Sequence, residues 1–156
     1  MLSLTACEVE ETKDNKDGPP GTDGEIQDVT DYSRCSSPGP APHSIEGTWS
    51  SAGRAEGGIN YKFVWTINNR RLYLANTCYF RGRQLTARTQ VSADYNDNYF
   101  EVLNSNSNTT EINEEDFQMS CYVSIEPMAA NYTFNGRCLV LTINGYDKPL
   151  TLVPEQ

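Results

Sequence analysis

From Ser44 to Val153, apolar and polar residues alternate with a period of two, and no useful length of chain has the spacing of a helix face. The clearest run is Tyr61, Phe63, Trp65 and Ile67, which alternate with Lys62, Val64 and Thr66 before Asn68-Asn69-Arg70 turns the chain. The same pattern predicts strands over 45–52, 61–67, 71–80, 84–93, 99–103, 117–125, 131–135, 137–143 and 150–153. Turns are expected at Gly82, Asn96-Asp97-Asn98, Gly136 and Asn144-Gly145. Residues 104–116, rich in Asn, Ser and Thr and then acidic, read as the one long loop. Short connections join strands that are antiparallel neighbours, so the expected class is all-β, with eight or nine strands in an up-and-down meander. Eight such strands close into a barrel, which removes the exposed edges that invite aggregation; a two-sheet sandwich is the alternative.

Upstream of residue 44 the alternation stops. Residues 8–43 hold nine acidic and three basic residues, −6 of the chain's formal −9, among Gly, Pro and Ser. That composition buries no core, so a disordered acidic linker is expected over 8–43 and a folded domain over 44–156. Gly18-Pro19-Pro20-Gly21-Thr22-Asp23-Gly24-Glu25-Ile26 reads as collagen-like triplets, too few for a triple helix and hence an extended spacer. Leu4-Thr5-Ala6-Cys7 fits the lipobox of bacterial lipoproteins, which makes residues 1–7 a truncated signal segment and Cys7 a lipid attachment site. The expectations are a membrane partner through that anchor and a place in the bacterial cell envelope, at the periplasmic or surface face of the outer membrane.

With Cys7 set aside, Cys35, Cys78, Cys121 and Cys138 remain, an even number in an exported chain, and two disulfides are expected. Sequence alone leaves three connectivities open. No CxxC occurs and the only histidine, His43, sits in the linker, so zinc is not expected. A calcium loop is not expected either: with Gly18 as the obligatory glycine, Lys13 and Gly24 fall where carboxylates are needed, and Asp94-Tyr95-Asn96-Asp97-Asn98 is followed by Tyr99 instead of Gly. No Ser or Cys has a histidine to activate it, so neither an enzyme nor a cofactor is expected. A pI near 4.5 argues against nucleic acid as a partner. The longest apolar runs fall short of the roughly 20 residues of a spanning helix.

Gly47-Thr48-Trp49 on the first strand, the meander, and Tyr132-Thr133-Phe134-Asn135-Gly136-Arg137-Cys138-Leu139-Val140-Leu141-Thr142 near the end resemble lipocalin-like domains, especially the small ones of bacterial lipoproteins. The resemblance spans residues 44–153. It implies that Trp49 closes one end of the barrel and that Cys78 pairs with Cys121, and the preferred pairing is that one together with Cys35–Cys138. It also implies a binding barrel for a small apolar or amphipathic ligand, with Tyr61, Phe63 and Trp65 as lining residues beside Trp49. A solid barrel docking another envelope protein is the alternative, with loops or a basic hairpin as the docking surface. Of nine Lys and Arg in residues 44–156, Arg70, Arg71, Arg81, Arg83 and Arg88 fall in one hairpin, where they would hold an anionic ligand, a lipid headgroup or an acidic partner. The Glu111, Glu114, Glu115 and Asp116 cluster reads as a solvated surface. The sequons at Asn108 and Asn131 would matter only in a eukaryotic secretory protein.

Overall fold

The computed structural model describes residues 26–155 in full and residues 6–11 as backbone. Among the described residues twelve strands follow one another: β1 (Ala6–Glu11), β2 (Gln27–Asp28), β3 (Gly47–Ala55), β4 (Ile59–Asn68), β5 (Arg71–Phe80), β6 (Arg83–Tyr95), β7 (Tyr99–Val102), β8 (Asn106–Asn113), β9 (Phe117–Ile125), β10 (Met128–Asn135), β11 (Cys138–Ile143) and β12 (Leu150–Pro154). Eight of them, β3 to β7 and β10 to β12, form an antiparallel barrel that closes where Val153 and Pro154 pair with Ser50 and Trp49. The predicted all-β barrel is present, and its form fits a lipocalin-like barrel. Its core is the inward row of each strand, with Trp65, Phe100, Ile67, Leu72, Leu139, Leu141 and Leu152 without accessible surface.

The meander is interrupted once. Residues 104–116 are not a loop: β8 pairs with β9 from Asn106↔Ile125 to Asn113↔Gln118, and this hairpin stands between β7 and β10, which pair with each other beyond it. Its apolar face carries Met119, Cys121, Val123 and Ile125, all buried, and lies against the inner face of β5. Phe117 stacks on Phe80 at 6.3 Å, and Cys121 is bonded to Cys78 with Cα atoms 5.9 Å apart. The hairpin therefore fills the barrel end where β4 begins and β5 ends. Its other long edge is fastened without a ladder: Asn106 and Asn108 donate through Nδ2 to the carbonyls of Gln90 and Arg88 at 3.0 and 2.9 Å, and Thr110 Oγ1 donates to Thr86 O at 3.0 Å. Three side chains at alternate positions thus cap the open edge of β6, a job that a neighbouring backbone normally does. Pattern reading missed β8 because Asn and Ser at these positions resemble a loop, and their value lies in those side-chain donors.

Folded structure also begins earlier than residue 44. Residues 26–43 run as a strap outside the barrel. Gln27 and Asp28 pair with Arg54 and Gly53, Val29 N donates to Ala52 O at 3.0 Å, and a short 3₁₀ turn at Tyr32–Ser36 is capped by Asp31. Cys35 is bonded to Cys138 with Cα atoms 4.9 Å apart. Ser50, Val153 and Cys138 point outward by register and are nonetheless buried. Gly136, with φ +60°, supports this contact: a Cβ there would stand 2.2 Å from Cys35 O, the acceptor of Arg137 N at 2.9 Å. The linker assignment of residues 26–43 is corrected accordingly, because hydrogen bonds and one disulfide hold this polar segment where composition counts only apolar burial. The backbone of β1 pairs with β9, with Cys7 opposite Cys121. The side chain of Cys7, the start of the lipobox and the spacer over 18–25 lie outside the described residues.

Candidate functional site

The four residues expected to line a ligand site all stand on the inner face. Trp49 pairs with Trp65 and Phe63 faces Asn76 across the β4–β5 ladder, while Tyr61 faces Cys78. Trp49 is buried, stacks on Phe134 at 6.1 Å, and donates from Nε1 to Ile45 O at 3.0 Å. Ile45, itself buried, lies with it at the barrel end opposite the hairpin, so Trp49 belongs to that end's closure. Trp65 meets Phe63 edge-on at 6.1 Å and Phe100 at 6.4 Å. Phe63 alone of the four is half-buried.

Asn76 belongs with this group and was missed by sequence reading. Its signal was present in the alternation: Leu72, Leu74, Asn76, Cys78 and Phe80 share one face, and an amide in that row has to find partners indoors. Its Nδ2 donates to Tyr122 O on the hairpin at 3.0 Å, whereas Asn76 Oδ1, Trp65 Nε1 and Tyr61 OH are buried without a hydrogen-bond partner. Burial pushes the Tyr61 phenol up to about 12. Trp65 and Asn76 have 0% accessible surface, which means that no water-sized void touches either. The inner wall thus offers three unused polar atoms and little space at them.

The five arginines do not form one patch. Arg70 and Arg71 stand at the β4–β5 turn, Arg81 and Arg83 at the β5–β6 turn, and a ten-residue strand separates them, roughly 30 Å at 3.3–3.4 Å per residue. Arg70 pairs with Asp94 and lies over the Tyr95 ring at 5.4 Å. Arg83 holds Glu114 with two bonds, at 2.8 and 2.9 Å, and its hydrogen bonds keep that carboxyl below the usual range. Arg88 stands mid-strand on the outer face. There, a groove of about 380 Å³ between β6 and β8 is lined by Tyr73, Arg88, Gln90, Asn106 and Asn108.

A second groove, of about 300 Å³, lies between the strap and the barrel, beside Tyr79, Asn60, Lys62, Thr30 and Val153. At its side Lys62 and Arg34 converge on Glu155 at 2.5 and 3.8 Å. Partial burial pushes the Glu155 carboxyl up, and the Lys62 and Ser50 hydrogen bonds with the two positive charges more than reverse this, leaving it below its usual value. No group of three or more metal-binding side chains occurs among the described residues.

No family profile, curated protein or solved structure matches this chain, so its own geometry has to carry any functional conclusion.

Proposed function

We propose that this chain is an exported, lipid-anchored module of the bacterial cell envelope whose solid barrel works through its outer surface. The observation that carries the reading is the filled interior: inward residues from Leu72 to Cys78 are at most 2% exposed, and the β8–β9 hairpin occupies one barrel end while Trp49 and Ile45 occupy the other. A cargo barrel needs room that side chains do not take. Two disulfides support export to an oxidising compartment, and the lipobox supports Cys7 as the anchor.

Native mass spectrometry of the full chain, compared with the denatured sample, tests the solid interior. The expected result is one mass, unchanged on denaturation. A mass that is lost on denaturation overturns it and favours a barrel for a small amphipathic ligand. The partnerless polar atoms of Tyr61, Trp65 and Asn76 support that second reading. Cell fractionation tests the anchor: Cys7→Ser is expected to move the protein from the membrane to the soluble fraction, and an unchanged distribution removes the lipid from the proposal.

A further inference from the structure

We propose that the outer face of β4, β5 and β6 binds an acidic polysaccharide, with Tyr73 and Tyr79 stacking on sugar rings and Arg71 and Arg88 holding carboxylates. This rests on the surface-acting reading and names the partner's chemistry. The first support is charge. Residues 57–93 contain six of the chain's twelve Lys and Arg and no Asp or Glu, in a protein that carries 21 acidic residues. Of the six, Lys62, Arg71 and Arg88 stand on the outer face of β4, β5 and β6, and the other three stand at its two turns. Three of the six find carboxylates from flanking segments: Lys62 with Glu155, Arg70 with Asp94 and Arg83 with Glu114. Arg71 and Arg88 are exposed and have no carboxylate partner among the described residues.

The second support is shape. Tyr73 and Tyr79 point outward from the same strand, each 37% exposed, and six residues put them about 20 Å apart. Between them the strand presents only Ala75 and Thr77, with Thr77 bonded to Thr86 at 2.9 Å, a low, flat track. Each tyrosine borders one of the two grooves, with Arg88, Gln90 and Asn108 beside Tyr73 and Asn60 and Lys62 beside Tyr79. Flat aromatic faces flanked by amides and guanidinium forks suit a ribbon of pyranose rings carrying carboxylates, because the ring faces stack and the forks bind in pairs. A membrane surface would call for protruding apolar wedges, and no large aliphatic side chain stands on this face.

The test is affinity electrophoresis of the full chain in native gels containing polygalacturonate, dextran, or polyphosphate, each read against a plain gel. Retardation by polygalacturonate, absent with dextran and weakened by salt, is expected. Tyr73→Ala, Tyr79→Ala and Arg88→Gln are each expected to weaken it about fivefold, the size of one aromatic or charge-assisted contact, with unchanged melting temperature. No retardation by polygalacturonate overturns the proposal, as does equal retardation by dextran. Retardation by polyphosphate that survives both tyrosine changes also overturns it, since charge alone would then explain the binding. Interior cargo in the mass measurement, alongside intact polygalacturonate binding, would remove the solid-barrel reading while leaving this face in place.

Discussion

Replacing Cys78 and Cys121 together by Ala tests what holds the β8–β9 hairpin in the barrel. The two residues are 43 apart in sequence, and closing a loop of that length stabilises the fold by about 4 kcal/mol in the chain-entropy description. Residues 26–155 unfold with an entropy near 2.1 cal/mol/K each, about 0.27 kcal/mol/K in all, so the double variant should melt about 15 °C lower. The local consequence is more informative than the global one. Beyond the disulfide, the hairpin's far end keeps Phe117 on Phe80, Met119 among its apolar neighbours, the amide of Asn76 on Tyr122 O, the exposed Arg83–Glu114 pair, Thr110 on Thr86 O and the backbone pairing of β1. Amide exchange across β9 should therefore accelerate more than exchange in β11 or β12.

Cys35→Ala with Cys138→Ala is the control. Its loop of 103 residues corresponds to about 5 kcal/mol, yet the loosened segment should be the strap over 26–43, with β9 as protected as before. Thermal unfolding by circular dichroism and hydrogen exchange by mass spectrometry read both effects. A fall of under about 3 °C for Cys78→Ala/Cys121→Ala, with β9 protection unchanged, would refute the reasoning. Val123 and Ile125 would then be enough to seat the hairpin.

Tyr61→Phe should be neutral or stabilising by up to about 1 kcal/mol in chemical denaturation, since the hydroxyl is buried without a partner; a loss above that would reveal an interaction. In the unaltered protein that phenol, held up to about 12 by burial, makes stability fall as pH rises from about 10 towards 12, and a spectrophotometric titration should show a tyrosine component near 12 that Tyr61→Phe removes. Gly136→Ala should cost about 1–3 kcal/mol in the same denaturation assay, because the new Cβ meets Cys35 O in a left-handed backbone region. Asp28 and Glu155 sit below their usual values, Asp28 because hydrogen bonds from Thr30 and Tyr32 outweigh its burial. The strap's stability is thus present above about pH 4.5 and drains away as pH falls below it; limited proteolysis should cut near residues 28–43 at pH 3 and spare them at pH 6.

Apolar alternation is what made this fold legible. β4 announces itself through Tyr61, Phe63, Trp65 and Ile67, and the barrel follows from repeated strands of that kind with short turns between them. β8 is silent because Asn106, Asn108 and Thr110 act by donating to carbonyls on a strand 16 to 24 residues away, and donor geometry has no periodic signature. The strap is silent for the same reason: Asp28, Thr30 and Cys35 act through bonds, and a polar segment looks like a tether until its partners are known. Asn76 was legible as a polar residue in an inward row, though its link to Tyr122 was not. The five arginines are grouped in one hairpin by sequence, and the length of β5 sets Arg70 and Arg71 apart from Arg81 and Arg83.

The silent devices share a place in the fold. β12 reaches only Trp49 and Ser50 of β3, and β7 reaches only Ala93 to Tyr95 of β6, so the remaining lengths of both long strands leave the ladder. β7 and β12, with four and five residues, are too short to close the ladder along the whole height of β6 and β3. The strap covers the open part of β3 and is fixed by Cys35–Cys138; the hairpin covers the open part of β6 and is fixed by Cys78–Cys121. Each disulfide therefore ties a segment added to the barrel back onto the barrel itself, and polar side chains help to hold both segments. The same economy bears on function. The hairpin that completes the wall also fills one barrel end, and the proposed use of the outer face rests on that filling. On that face β4, β5 and β6 pair fully, and Tyr73 and Tyr79 stand at the borders of the two added segments.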